Sequence, residues 1–145
     1  MISIRPALAS DEAVIIQMIH AEQLDPTSLN WQNFLVAVDE AADNQIVGIG
    51  QIKILRGAHE LGSLVVVEGY RGRGIAGNLI RALQARAPRP LYLLCETKMC
   101  SYYAKFGLQR ISFWHAPLIM KVKWLIPSAI FFLAGYRFAL MVQQK

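Results

Sequence analysis

The clearest regularity in the chain is an apolar β-branched run that breaks into a polar glycine turn and re-emerges with helical spacing. Leu64 to Val67 is apolar and Glu68 to Gly74 is polar and rich in glycine. Ala76, Leu79, Ile80 and Leu83 then recur at the i, i+3, i+4, i+7 positions of a buried helical face. Upstream, Ile2 to Arg5 reads as a strand stopped by Pro6. A helix opening at Ser10-Asp11-Glu12 follows, burying Ile15, Ile16, Met18 and Ile19. Asn33 to Val38 and Ile46 to Leu55 read as strands joined by a turn at Asp43-Asn44-Gln45. The alternation slips near Gly48 and Gly50, which predicts a bulge or a close approach of backbone. Arg56-Gly57-Ala58 turns the chain into a strand from His59 to Val67.

Beyond the break at Pro88-Arg89-Pro90, Leu91 to Cys95 is apolar throughout, as a central strand would be. A short helix from Met99 to Phe106 is expected to end at Gly107. Strands are expected at Gln109 to Phe113 and at Pro117 to Lys123. This order predicts an α/β sandwich on a mixed sheet. The last stretch reads differently. From Trp124 to Val142, a run of 19 residues, the only charge is Arg137, which predicts an apolar helical tail over 124–145 behind a domain of 1–123. A helix of that length just spans a bilayer core, although Pro127 and Arg137 lie inside the run. A helix packed on the sheet, or one exchanged within a homodimer, is the alternative. A surface helix fits less well, since the run is apolar nearly all round.

Composition narrows the function. A length of 145 residues suits one domain with a sizeable core. A net charge of +5 fits a partner bearing phosphates. The charges form no runs and no nucleic-acid motif, so no nucleic-acid partner is expected. Cys95 and Cys100 lie outside any C-x-x-C spacing and read as free thiols, and no metal site is expected. The start, MISIRPALASDEA, lacks the apolar core of a signal peptide, which points to the cytoplasm.

The glycine turn carries the candidate chemistry. A strand, a glycine turn and a helix N-terminus together make an anion site, because the first helical amides lack partners and the dipole places positive charge there. Gly72 and Gly74 let backbone approach an anion, and Arg71 and Arg73 add forked donors. The turn is neither a P-loop nor a dinucleotide fingerprint. Arg71, Gly74 and Ala76 meet the spacing [Q/R]-x-x-G-x-[G/A] after Leu64-x-Val66, which resembles the acyl-CoA pyrophosphate loop of the GNAT N-acetyltransferase superfamily. Tyr102-Tyr103-Ala104-Lys105-Phe106-Gly107-Leu108, one helix and one strand further on, resembles the F-Y-x-K-x-G-F pattern that closes that superfamily's core. The resemblance covers residues 1 to 116.

The resemblance implies a GNAT-like mixed, mostly antiparallel central sheet with helices on both faces, here with a C-terminal apolar helix added. It implies an N-acyltransferase in which an amine attacks the thioester of acetyl-CoA directly. Leu64, Val65, Val66 and Val67 would offer backbone to the pantetheine, one amide serving as oxyanion donor. Arg71, Gly72, Arg73, Gly74, Ile75 and Ala76 would cradle the pyrophosphate. Tyr103 would be the general acid for the leaving thiolate, with Tyr102 packing. Glu60 stands eleven positions before Arg71, where some histone-type members carry a base; a carboxylate near an apolar wall holds protons more tightly, as that task requires. His59 is a weaker candidate, and His20 and His115 read as surface residues.

Three departures from the pattern are Glu68 where Pro is common, Glu96 near a usual Asn, and Leu108 for the last Phe. Glu96 would repel the cofactor unless it pairs with Lys98. The acceptor, an amine-bearing small molecule or protein, is chosen by segments such as Asp25 to Trp31 that carry no motif. A non-catalytic CoA-binding sensor, or a membrane-tethered module, is the competing reading.

Overall fold

The structure, a computed structural model, describes residues 1–145. Its strands are β1 (Ile2–Pro6), β2 (Phe34–Asp39), β3 (Gln45–Leu55), β4 (Ala58–Val66), β5 (Leu91–Glu96), β6 (Gln109–Ile111) and β7 (Phe138–Gln143). Its helices are α1 (Glu12–Ala21), α2 (Ile75–Arg86), α3 (Cys100–Ala104) and α4 (Leu118–Phe131). The seven strands form one sheet in the order β1-β2-β3-β4-β5-β7-β6. The chain divides into two compact units, Met1–Lys53 with Leu61–Arg86, and Ile54–Glu60 with Ala87–Lys145.

In the first unit β1, β2 and β3 run antiparallel in sequence order. Asp43 and Asn44 turn β2 into β3 with φ of 56° and 57°, left-handed values that their short polar side chains tolerate. The expected irregularity is real: Ala37 faces Gly48 while Val38 faces Ile46, so β3 carries one extra residue at Val47. The alternation then sorts side chains to two faces. Phe34, Val36, Val38, Ile49 and Val65 pack with Ile15 and Ile19 of α1. Ala37, Gly48 and Gly50 face α2 instead. A Cβ at Gly48 would lie 3.1 Å from Leu79 and 3.2 Å from Ile75, and one at Gly50 would lie 2.9 Å from Leu83. The two glycines thus let α2 lie against the backbone of β3.

A second irregularity left no signal in the sequence. Ser63, inside β4, has φ of 54°, a left-handed value that costs a non-glycine residue about 1 kcal/mol or more. Its hydroxyl accepts a hydrogen bond at 2.8 Å from the amide of buried Gln51 on β3, which offsets part of that cost.

In the second unit β7 lies between β5 and β6, antiparallel to both. Ala139, Leu140, Met141 and Val142 are all buried. Two expectations are corrected here. The expected strand from Pro117 to Lys123 is helical from Leu118 onward, because Ala116, Met120 and Trp124 recur every four residues and pack against Tyr92, Leu140 and Val142. Residues 124–142 are not one apolar helix. The helix α4 runs unbroken through the expected 123/124 boundary and stops at Phe131, and the chain turns at Gly135 with φ of 85°. The rest of the run becomes β7. A buried strand and a buried helix are equally apolar, so hydrophobicity alone does not separate them. No helix is long and apolar enough to cross a membrane. The Trp124 indole donates to the Phe138 carbonyl at 2.9 Å, tying α4 to the start of β7.

Replacing Gly50 with Ala is expected to destabilise the protein by about 1–3 kcal/mol, because buried Leu83 must move to admit the methyl group. Urea denaturation would detect the loss as a lower midpoint at unchanged slope.

Candidate active site

The phosphate-binding candidates lie between β4 and α2, as the sequence predicts. Gly72 and Gly74 have φ of 77° and 78°, and a Cβ on either would meet nothing within 4 Å. Positive φ, not lack of space, therefore demands glycine here. Arg71 to Gly74 are exposed, whereas Ile75 is buried and starts α2. The first bond of the helix runs from the Asn78 amide to the Gly74 carbonyl at 3.0 Å. The amides of Ile75, Ala76 and Gly77 accordingly have no acceptor within the helix.

The loop is anchored from several sides. The Tyr70 hydroxyl donates to Asp39 at 2.9 Å, holding Asp39 below the usual carboxylate range. The Arg73 guanidinium lies 4.8 Å from the Tyr70 ring and donates to the Gly69 carbonyl at 3.1 Å. Arg71 donates through Nε to the Val66 carbonyl at 2.9 Å and through Nη2 to Glu22 at 3.3 Å. The Val66 bond clasps the loop to the strand. The pair with Glu22 is solvated on both sides and contributes little. Glu22, at the end of α1, bears no motif, and only the fold brings it to Arg71.

Along β4 the backbone alternates between two edges. The Val67 amide donates to Val47 on β3 at 2.9 Å. Val65 points its backbone groups to that same edge, and Leu64 and Val66 point theirs to the opposite one. The Val66 carbonyl is engaged by Arg71, which leaves its amide as the hydrogen-bonding group of Val66 on that edge.

In the second unit, Glu60 and Tyr103 have different neighbours. Glu60 is 5% exposed, and its Oε2 lies 2.8 Å from the Lys123 ammonium of α4. The sequence pointed to a carboxylate on an apolar wall, but Glu60 is a buried ion-pair partner. Lys123 is 63 positions away, and nothing local marks it. Tyr103 packs edge-to-face on Tyr102, with centroids 5.3 Å apart. Burial first, then the neighbouring Cys95 and Tyr102, push the Tyr103 phenol up to about 12. Burial, and then Cys100 beside it, push the Cys95 thiol up to about 12 as well. Both cysteines are free. Glu96, the expected source of repulsion, pairs with Lys98 at 3.2 Å. His59 is half-buried, and His20 and His115 are exposed. No three His, Cys, Asp or Glu side chains cluster to hold a metal ion.

One buried charge escaped the sequence reading. Lys53 on β3 is 2% exposed and donates to Asp25 at 3.1 Å, in the loop expected to select the acceptor. Burial raises the Asp25 carboxyl, but bonds from the Thr27 hydroxyl and amide and from Lys53 outweigh it. The carboxyl ends well below the usual carboxylate range.

The fold and these motifs define an acyl-CoA-dependent acyltransferase, and the chain belongs to the Acetyltransferase (GNAT) family, whose sequence profile matches residues 6–108. Solved structures agree on the fold. Rv2747 from Mycobacterium tuberculosis, solved with CoA and NLQ, has a TM-score of 0.76 at 18% identity, covering 99% of each chain. Arabidopsis thaliana NAA60 with a bisubstrate analogue has a TM-score of 0.64 at 19% identity, covering 98% of this chain and 97% of that one. A GNAT family acetyltransferase from Brucella melitensis, solved with acetyl-CoA, has a TM-score of 0.56 at 25% identity, covering 75% of this chain and 83% of that one. No curated protein sequence matches the chain.

The Asp25–Lys53 pair sets a pH-dependent share of stability. The folded pKa of Asp25 lies below its unfolded value of about 3.9, so its contribution is complete above that value and drains away as pH falls toward the folded pKa. Asp25→Asn should cost about 1–3 kcal/mol near pH 7, because the buried Lys53 ammonium loses its counter-charge and keeps at most an amide oxygen as acceptor. Thermal melts of both proteins should draw together below about pH 4.

Proposed function

We propose that the protein transfers the acetyl group of acetyl-CoA to an amine by direct attack on the thioester, without a covalent enzyme intermediate. The observation that carries this reading is the open anion cradle at the start of α2. There Gly72 and Gly74 adopt positive φ, and helix N-terminal amides stand beside Arg71 and Arg73. That a fold relative from Brucella melitensis was solved with acetyl-CoA supports it. In this reading Arg71, Gly72, Arg73, Gly74, Ile75 and Ala76 hold the pyrophosphate, and Leu64 to Val67 offer backbone to the pantetheine arm. When bound, acetyl-CoA supplies the thioester carbonyl that the amine attacks.

The chain's own groups then divide the work. The Val66 amide, on the edge of β4 away from β3, is the candidate donor to the carbonyl oxygen as negative charge builds there. Tyr103 is the candidate proton donor to the leaving sulfur. A phenol at about 12 keeps its proton throughout the physiological range. Against a thiol near 8.5, full transfer is uphill even to the free thiolate, so Tyr103 acts by hydrogen bonding to the sulfur as charge builds there, and a proton it gives up is returned from solvent. Glu60 works as an ion pair with Lys123: the carboxylate accepts a hydrogen bond from the incoming amine and takes the proton its nitrogen sheds as the amide forms, passing it to water, while the ammonium disfavours that amine's protonated form.

Calorimetry with acetyl-CoA tests the cradle. Wild-type binding weakened tenfold or more, on the order of 1.4 kcal/mol, in Arg71→Ala with Gly74→Ala supports it; equal affinity in both proteins sinks it. Tyr103→Phe should lower kcat about 10²-fold or more while leaving acetyl-CoA affinity unchanged. Unchanged turnover would reduce Tyr103 to a packing residue. Glu60→Gln should lower kcat more than it lowers Tm, whereas a lower Tm with normal kcat would make the Lys123 pair purely structural.

A further inference from the structure

The outward face of α4 is apolar where a helix in water is expected to be polar. Leu118, Val122, Leu125, Ile126 and Ile130 follow one another along it, with exposures from 44% to 76%. Lys121 and Lys123 border this stripe, Lys121 between Leu118 and Leu125 in helical spacing and Lys123 seven positions before Ile130, and both are partly buried. The stripe continues through Phe131 at the end of the helix into the turn after it, where Phe132, Leu133 and Tyr136 are exposed as well. Scattered exposed apolar residues need no explanation, but a contiguous patch of this length marks a contact surface.

Charge indicates what the patch contacts. Residues 97–145 contain seven of the 15 Lys and Arg and none of the 10 Asp and Glu. The first 96 residues hold eight basic against ten acidic side chains, so the positive excess of the chain lies entirely in its C-terminal third. Two of those cations adjoin aromatic rings in or beside the patch. The Arg137 guanidinium lies 4.1 Å from the Phe132 ring, and the Lys121 ammonium 5.6 Å from Phe113. Phe113 in turn packs edge-to-face on Trp114, which is 79% exposed. An apolar stripe beside cations and an exposed Trp has the chemistry of the boundary between anionic headgroups and acyl chains. With 14 residues, α4 is too short to span a bilayer core but long enough to lie along its surface.

We propose that the outward face of α4, with the turn at Phe131 to Arg137, docks on an anionic lipid surface and holds the protein there without crossing it. The proposal does not depend on the acetyl-transfer reading. A second copy of the chain is the rival occupant, but two such faces would bring like charges together.

Co-sedimentation of the full chain with vesicles tests this, using phosphatidylglycerol mixed with phosphatidylcholine and phosphatidylcholine alone. Binding to the anionic vesicles should be about tenfold or more tighter than to the neutral ones and should weaken as salt is raised. Ile126→Glu with Ile130→Glu should reduce it by a further tenfold or more. Both positions are exposed, so the fold should persist, as a circular-dichroism melt would verify. Should that variant fail to fold, Leu133→Asp, 96% exposed and beyond the last turn of α4, takes its place. Absence of binding to anionic vesicles overturns the proposal. So does binding unchanged by these substitutions, or a concentration-dependent dimer in light scattering that the same substitutions dissociate.

Discussion

The first unit depends on a close approach that two missing side chains permit. Gly48 and Gly50 remove the Cβ atoms that would meet Ile75, Leu79 and Leu83, so α2 rests on the backbone of β3. The N-terminus of α2 is thereby fixed, and the Arg-Gly loop with it. A bulkier residue on β3 would push the helix outward and carry its free amides along. The bulge at Val47 serves the same arrangement: it sets the phase that turns both glycines toward α2 while Ile49 joins the core under α1. A packing constraint on one strand thus positions an anion site on the next element but one.

The parts of this fold that were legible in the sequence are those whose cause is local. Positive φ at Gly72, Gly74 and Gly107 follows from glycine itself, and the turn at Asp43-Asn44 from the side chains that tolerate it. The strands and helices up to β5 follow from hydrophobic period. The illegible parts have distant causes. Lys123 meets Glu60 and Lys53 meets Asp25 only because the fold brings them together. The left-handed Ser63 is sustained by Gln51, twelve positions away. The apolar run after Trp124 hid a change of element, because α4 and β7 are nearly uniform in hydropathy and Gly135 is the single punctuation between them.

The candidate catalytic groups sit at opposite electrostatic extremes. Tyr103 is held above its ordinary value by burial first and then by the neighbouring Cys95 and Tyr102, so it is a reluctant acid. Glu60 has a full positive charge at ion-pair distance, so it is not the isolated carboxylate that a simple general base would be. The burial of Tyr103 suits a group that hydrogen-bonds to a leaving sulfur with its proton in place. The Glu60–Lys123 pair has the opposite property: it can exchange partners with an incoming polar group without leaving a buried charge uncompensated.

The placement of β7 makes unit two fragile in a particular order. The strand β6 is three residues long and stands at the edge of the sheet, with β7 as its only ladder partner. Pairing β5 with β7 closes a loop of more than 40 residues, an entropic cost that must be met before β6 has anything to bind. Assembly therefore waits on the last strand of the chain, and shortening that strand would remove two strands from the sheet.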